Sequence, residues 1–182
     1  MSASAPAILR IALLAPWLVV LCVKDIKTRR LPNAWTLGGL AAGLLVGLGQ
    51  GGIAGFLDGL EAAGVCVLFL LLPYLVRAAG AGDLKMLAAC GAFVGMRNVL
   101  ALLVAVSFAG FFVAVCMLLA RRVGAARMKH AFRVLFDWRY DRKAGRAALP
   151  PMEDEGNRVP FGVAIAAGTL ATLAMEAMGW AF

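Results

Sequence analysis

Gly80-Ala81-Gly82-Asp83-Leu84-Lys85-Met86-Leu87-Ala88-Ala89-Cys90-Gly91-Ala92-Phe93-Val94-Gly95 is the stretch on which the fold turns. Its apolar part, Leu84 to Gly95, is twelve residues long. A helix of that length covers about 18 Å, short of the ~30 Å hydrocarbon layer of a bilayer. Such a segment must start within the membrane depth, lean on other helices, or thin the bilayer locally. The glycines and the acid before it, Gly80 to Asp83, read as an irregular loop dipping toward a wet cavity. Whether this segment counts as a span decides which side of a membrane everything after it occupies.

Five other apolar segments surround it: Ala7 to Val23, Ala34 to Gly49, Ala62 to Val76, Val99 to Ala120 and Val159 to Phe182. With Leu84 to Gly95 as the fourth, the chain has six. The loops after the first, third and fifth carry 16 of the 18 Lys and Arg residues, and the other side carries only Arg10 and Arg97. Lys and Arg favour the cytoplasmic side. Six spans then satisfy one orientation, with both termini outside and the basic loops inside. Deleting the fourth would put the most basic loop outside. The expectation is therefore an all-α, polytopic integral membrane protein with about six transmembrane helices, forming a single membrane-embedded domain over residues 1–182.

Composition points the same way. Of 182 residues, 63% are hydrophobic and 15% charged. A soluble domain averages about 45–50% apolar and about 25% charged. That excludes a soluble enzyme, a disordered tail and a nucleic-acid-binding domain, despite a net charge of +8. After Arg10 and the run from Ile11 to Val23 comes Lys24-Asp25-Ile26-Lys27-Thr28-Arg29-Arg30, a charged stop and not a small-residue cleavage site. The first span reads as retained. Cys22, Cys66, Cys90 and Cys116 lie singly in apolar runs with no CxxC pair, and read as packing thiols. The one long hydrophilic stretch, 121–158, carries ten Lys and Arg residues. Met128, Phe132, Leu135 and Phe136 fall on one helical face within it. It reads as a basic cytoplasmic amphipathic segment on anionic lipid, between the fifth and sixth spans. His130 within it reads as a surface residue.

Acids in or at the edge of a membrane are costly and default to functional readings. Asp58, Glu61, Glu176, Asp137, Asp141 and Glu153 to Glu155 read as solvated. Two remain. Asp25 follows the first span directly, and Asp83 opens the fourth, at the same face by the charge rule. Two carboxylates meeting beside lipid cannot both ionise easily and tend to share a proton. That is the arrangement of an acid–base pair acting on water and a peptide carbonyl. The competing reading pairs Asp25 with Lys27 or Arg29, and Asp83 with Lys85, as interfacial ion pairs.

The sequence around the acids favours the first. Asp25 stands in Asp25-Ile26-Lys27-Thr28-Arg29-Arg30-Leu31-Pro32-Asn33, Asp83 in Gly80-Ala81-Gly82-Asp83-Leu84-Lys85, and Val159-Pro160-Phe161-Gly162 opens the last span. With these three stretches in this order, the chain resembles the GxGD-type aspartic prepilin peptidases. It is most similar to the small members serving tight-adherence (Flp-type) pili. The resemblance implies Asp25 and Asp83 as the catalytic pair. It implies Gly80, Gly82, Lys85, Arg29, Asn33, Pro160, Phe161 and Gly162 as supporting or substrate-binding residues. It further implies a prepilin substrate, with a basic leader followed by an apolar helix, cut at the cytoplasmic face of the bacterial inner membrane. Membrane lipids and pilus or secretion machinery are the partners expected, with no cofactor and no metal. Longer relatives carry paired CxxC motifs linked to N-methylation; this chain has none, which puts methyltransferase activity in doubt. Two other classes fit the composition: a proton-coupled transporter, and a non-catalytic assembly factor of a pilus or secretion system.

With no cluster of His and Cys able to hold zinc, peptidase activity is expected to survive metal chelators and cysteine-directed reagents. Cleavage lost to a chelator and restored by a divalent ion would overturn that expectation.

Overall fold

The computed structural model describes residues 5–28, 32–75, 79–119 and 161–179, and every regular element among them is helical. In chain order these are α1 (Ala5–Thr28), α2 (Asn33–Leu75), α3 (Ala81–Val94), a single 3₁₀ turn (Met96–Asn98), α4 (Val99–Leu119) and α5 (Phe161–Ala177). Three helical stretches are long and apolar enough to cross a membrane: 7–27, 33–75 and 96–117. The helix Phe161–Ala177 is apolar but shorter. Phe108, Phe111, Phe112 and Leu119 of α4 are openly exposed, an arrangement that lipid tolerates and water does not. The chain is a helical membrane protein. The basic segment 121–158 lies outside the described residues.

Straight, a 43-residue α2 would measure about 64 Å, twice what a bilayer accommodates. It is not straight. Gly52 takes φ 62° and ψ −147° in its middle, a backbone shape essentially reserved for glycine. Residues 33–51 and 53–75 are therefore two arms folded back on each other. At the fold Gly47 and Gly55 meet backbone to backbone, and a Cβ on Gly47 would stand 2.6 Å from the Gly55 carbonyl oxygen. Further along, a Cβ on Gly59 would touch the Leu44 side chain at 3.5 Å. The second arm begins well before Ala62, the start expected from hydropathy. The expected outer loop shrinks to the Gly52 kink, and Asp58 and Glu61 become exposed helical positions.

The short segment α3 is buried from Met86 to Val94 without interruption. Ala88 and Ala92 pack with Ala63, Leu40 and Leu44 of α2. Gly91 lets the backbone of α3 come so close that a Cβ there would lie 2.9 Å from the Ala62 carbonyl oxygen. A helix wrapped by protein does not have to span hydrocarbon, and this removes the difficulty its length raises. The structure also corrects the expected irregular loop. Only Gly80 is extended, while Ala81, Gly82 and Asp83 already form the first turn of α3. In the same way α1 continues past Val23 to Thr28, so Asp25 stands within the helix and not after it.

α5 closes the bundle against α4 and α1. Gly168 approaches the α4 backbone so tightly that a Cβ would sit 2.6 Å from the Val106 nitrogen. Trp17 of α1 lays its ring on Gly39 of α2 and donates its indole N–H to the Trp35 carbonyl at 3.0 Å. Small residues at crossings are how helices gain contact where lipid removes the hydrophobic drive for association.

Gly55→Leu is expected to push the two arms of α2 apart and cost about 1–3 kcal/mol of stability, the scale of overpacking. The midpoint of thermal aggregation in detergent measures it. Gly64→Leu, at a position where an added Cβ meets nothing within 4 Å, should behave as wild type. Equal midpoints for the two variants would refute the close contact between the arms.

Candidate active site

Polar contacts at one end of the bundle orient the helices. Arg10, near the start of α1, reaches the Val94 carbonyl at the end of α3 (3.5 Å) and Glu176 at the end of α5 (3.4 Å). α1 therefore runs antiparallel to α3 and α5. The last turns of α1 lie beside the first turns of the other two, and Asp25 and Asp83 share that end. Asn33, the first residue of α2, joins them there: Lys85 Nζ donates to Asn33 Oδ1 at 2.8 Å across 52 positions of sequence.

Asp25 is 7% exposed. Its Oδ2 accepts the backbone N–H of Gly162 at 3.0 Å. Gly162 is the second residue of α5, so this N–H is one of the first four that a helix leaves without an internal partner. The carboxylate thus caps a helix 137 positions away in sequence, at the positive end of its dipole. Gly162 must lack a side chain for this, because a Cβ would stand 2.7 Å from Asp25 Oδ2 and 3.1 Å from its Cγ. Cys22, one turn before Asp25, directs its thiol to the Gly162 carbonyl at 3.8 Å.

Asp83 is partly exposed in the first turn of α3. Its Oδ2 accepts the Gly80 N–H at 3.0 Å, the half of a capping box made by an acid reaching back. A Cβ at Gly80 would come within 3.3 Å of the same oxygen. The two acids are held alike: one oxygen of each takes a backbone N–H at a helix N-terminus, α5 for Asp25 and α3 for Asp83. Preorganised N–H donors of this kind keep a carboxylate's direction constant.

Of the other residues read as supporting, Gly82 lies in the first turn of α3 beside Asp83, and Phe161 opens α5 with its ring against Gly110 of α4. Arg29 and Pro160 lie outside the described residues. Sequence reasoning missed the company of Trp35, whose ring lies 5.8 Å below the Lys24 ammonium next to Asp25. Only a cation-plus-aromatic pairing eleven positions apart could have signalled it, and that spacing has no regular period. The competing ion-pair reading gave Lys85 to Asp83; in the structure the Lys85 ammonium donates to Asn33 Oδ1. Among the described residues, two cavities are lined by neither acid. One, about 420 Å³, is apolar and lies between α1 and the first arm of α2, with Leu13, Trp17, Trp35, Gly38 and Phe93 in its walls. The other, about 340 Å³, lies at the opposite end beside Arg10, Gln50 and Asp58.

A family model described as the type IV leader peptidase family matches residues 12–115, more than half of the chain. The chain belongs to that family. The match takes in most of α1, all of α2 and α3 and most of α4, and so includes both Asp25 and Asp83. It ends before α5, whose Gly162 reaches back into the matched region. No curated protein and no solved structure matches the chain.

Gly162→Ala tests the helix-capping contact. The added Cβ would stand 2.7 Å from Asp25 Oδ2, which outweighs the roughly 1 kcal/mol that alanine gains over glycine in a helix, so stability should fall by about 1–3 kcal/mol, the scale of overpacking. In the protein that remains folded, displacement of the Asp25 carboxylate should lower leader cleavage on the order of 100-fold, the usual consequence of a small misplacement. Cleavage at the wild-type rate by the purified variant would show that this contact does not matter to the reaction.

Proposed function

We propose that this family member is an aspartic endopeptidase of the bacterial inner membrane that removes the leader of Flp-type prepilins. The observation that carries the reading is the placing of Asp25 and Asp83 at one end of the bundle, each with one oxygen tied to a helix N-terminus. One carboxylate, ionised, draws a proton from water as the water attacks the scissile carbonyl. The other, protonated, gives its proton to the departing amine. Two acids sharing one proton enter this cycle in the correct state. The chemistry needs only these carboxylates and water.

Six crossings follow if each arm of α2 and the buried α3 are counted with α1, α4 and α5. Direction then reverses at every step along the chain, and the acid end faces the cytoplasm with both termini outside. The Lys and Arg distribution supports that orientation. A prepilin would present its basic leader to the cytoplasm and its apolar helix to the membrane, with the junction at the level of the two acids. Pilus or secretion machinery would take up the product. Family membership supports this reading over a proton-coupled transporter, which would also want intramembrane acids, and over a non-catalytic assembly factor.

Asp25→Asn and Asp83→Asn are each expected to abolish processing while the protein still inserts at its normal level. Co-expression with a short prepilin and a gel-shift readout measures both. Full processing by either variant would remove that residue from the pair. Tolerance of both would leave the assembly-factor reading in its place.

A further inference from the structure

Arg10 lies inside a stretch apolar enough to cross a membrane, and it meets Glu176, an acid that reads as solvated from the sequence. Both are partly buried. Their side chains are only 20% and 19% exposed, and Nη1 of Arg10 stands 3.4 Å from Oε1 of Glu176. Nε and Nη2 both reach Oε1 of Gln50, at 3.1 and 2.7 Å, and Nη1 also approaches the Val94 carbonyl. One guanidinium thus joins α1 to the hinge end of α2 and the closing ends of α3 and α5. A charge so placed in a membrane protein is expensive and calls for a role.

The heights of the contacts suggest the role. On α1, Arg10 and Asp25 are 15 residues apart, about 22 Å of helix; on α5, Gly162 and Glu176 are 14 apart, about 21 Å. The two antiparallel helices are therefore tied at both ends in matching register. Arg10 meets Glu176 at one end, and Asp25 meets the Gly162 N–H at the other. The buried face of α1 repeats leucine at Leu14, Leu18 and Leu21, a spacing that a slide of one helical turn largely reproduces. An ion pair with a fixed partner does discriminate, because a one-turn slide displaces it by about 5.4 Å.

We infer that Arg10, through its pair with Glu176, is a positioning residue that sets the register of α1 on α5 and so holds the Asp25 carboxylate against Gly162. The inference rests on the aspartic reading given above. Arg10 touches neither Asp25 nor Asp83 and acts through the length of α1, which carries Pro16 between Arg10 and Asp25.

Glu176 Oε2 is buried and lacks a hydrogen-bond partner among the described residues. Removing Arg10 alone would strand a whole carboxylate and confuse register with fold. The informative variants are therefore the neutral pair Arg10→Gln with Glu176→Gln, and the exchanged pair Arg10→Glu with Glu176→Arg. Gln50 can serve the exchanged pair by offering its amide N–H groups in place of its oxygen.

Native cysteines report the register. Cys22 packs on the Gly162 carbonyl at the acid end, Cys66 and Cys90 are buried in the core, and the exposed Cys116 is replaced by serine. The full-length protein is treated in detergent with a maleimide, and prepilin processing is measured in parallel. In the neutral pair, processing should fall on the order of 100-fold. Cys22 should label roughly tenfold faster while Cys66 and Cys90 stay protected, as in a local shift. The exchanged pair should restore processing to within about tenfold of wild type, and with it the slower wild-type labelling of the partly buried Cys22. Wild-type processing with Cys22 labelled at its wild-type rate in the neutral pair would overturn the inference. So would labelling of Cys66 and Cys90 together with Cys22, since the pair would then be holding the fold and not a register. Should wild-type protein process no prepilin at all, the proposed function fails, and Cys22 labelling still decides the register.

Discussion

A carboxylate buried among helices in a membrane needs a donor, and Asp25 finds one in the Gly162 backbone N–H. That single hydrogen bond constrains much of the structure. It requires the start of α5 to lie on the last turns of α1. It requires a glycine at 162, because any larger residue would occupy the place of the carboxylate. It also requires the far end of the same helix pair to be held, which Arg10 and Glu176 do. Burying an unpaired acid would cost several kcal/mol, so the site and the closing of the bundle are one problem with one solution.

The remaining helices are drawn together by glycine. Gly47 on Gly55, Gly91 on Ala62 and Gly168 on Val106 each bring backbones to distances that a side chain would forbid. In lipid, apolar side chains have little to gain by leaving one apolar medium for another. Close backbone approach and the dispersion contact it allows carry more of the association. These crossings support α3, whose fourteen residues are too few to be a comfortable span alone. Once α3 is enclosed, its first turn delivers Asp83 to the same end as Asp25.

The two acids were legible for chemical reasons. Charges are scarce in such a chain, and Asp25 and Asp83 stand at the boundaries of apolar runs, Asp83 directly after a glycine and Asp25 seven residues before Pro32. The element boundaries were less legible. Hydropathy stops where charge begins, but a helix continues until its backbone is interrupted, so α1 passes through Lys24 and Asp25, and the second arm of α2 starts before the acids at 58 and 61. Gly80 to Asp83 looked irregular because two of its four residues are glycine. The acid itself, by accepting the Gly80 N–H, starts the helix there.

Amino-acid order alone determined that this is an all-helical membrane protein of low charge, where its apolar segments lie, and which two acids are costly enough to need a purpose. Those properties are local: each depends on a residue and its near neighbours. Tertiary structure alone decided that Lys85 answers to Asn33, that Glu176 is paired with Arg10, and that Asp25 caps a helix 137 residues downstream. These are meetings of distant positions, governed by crossing points and axial heights, and no periodicity within a segment encodes the height at which it will meet another.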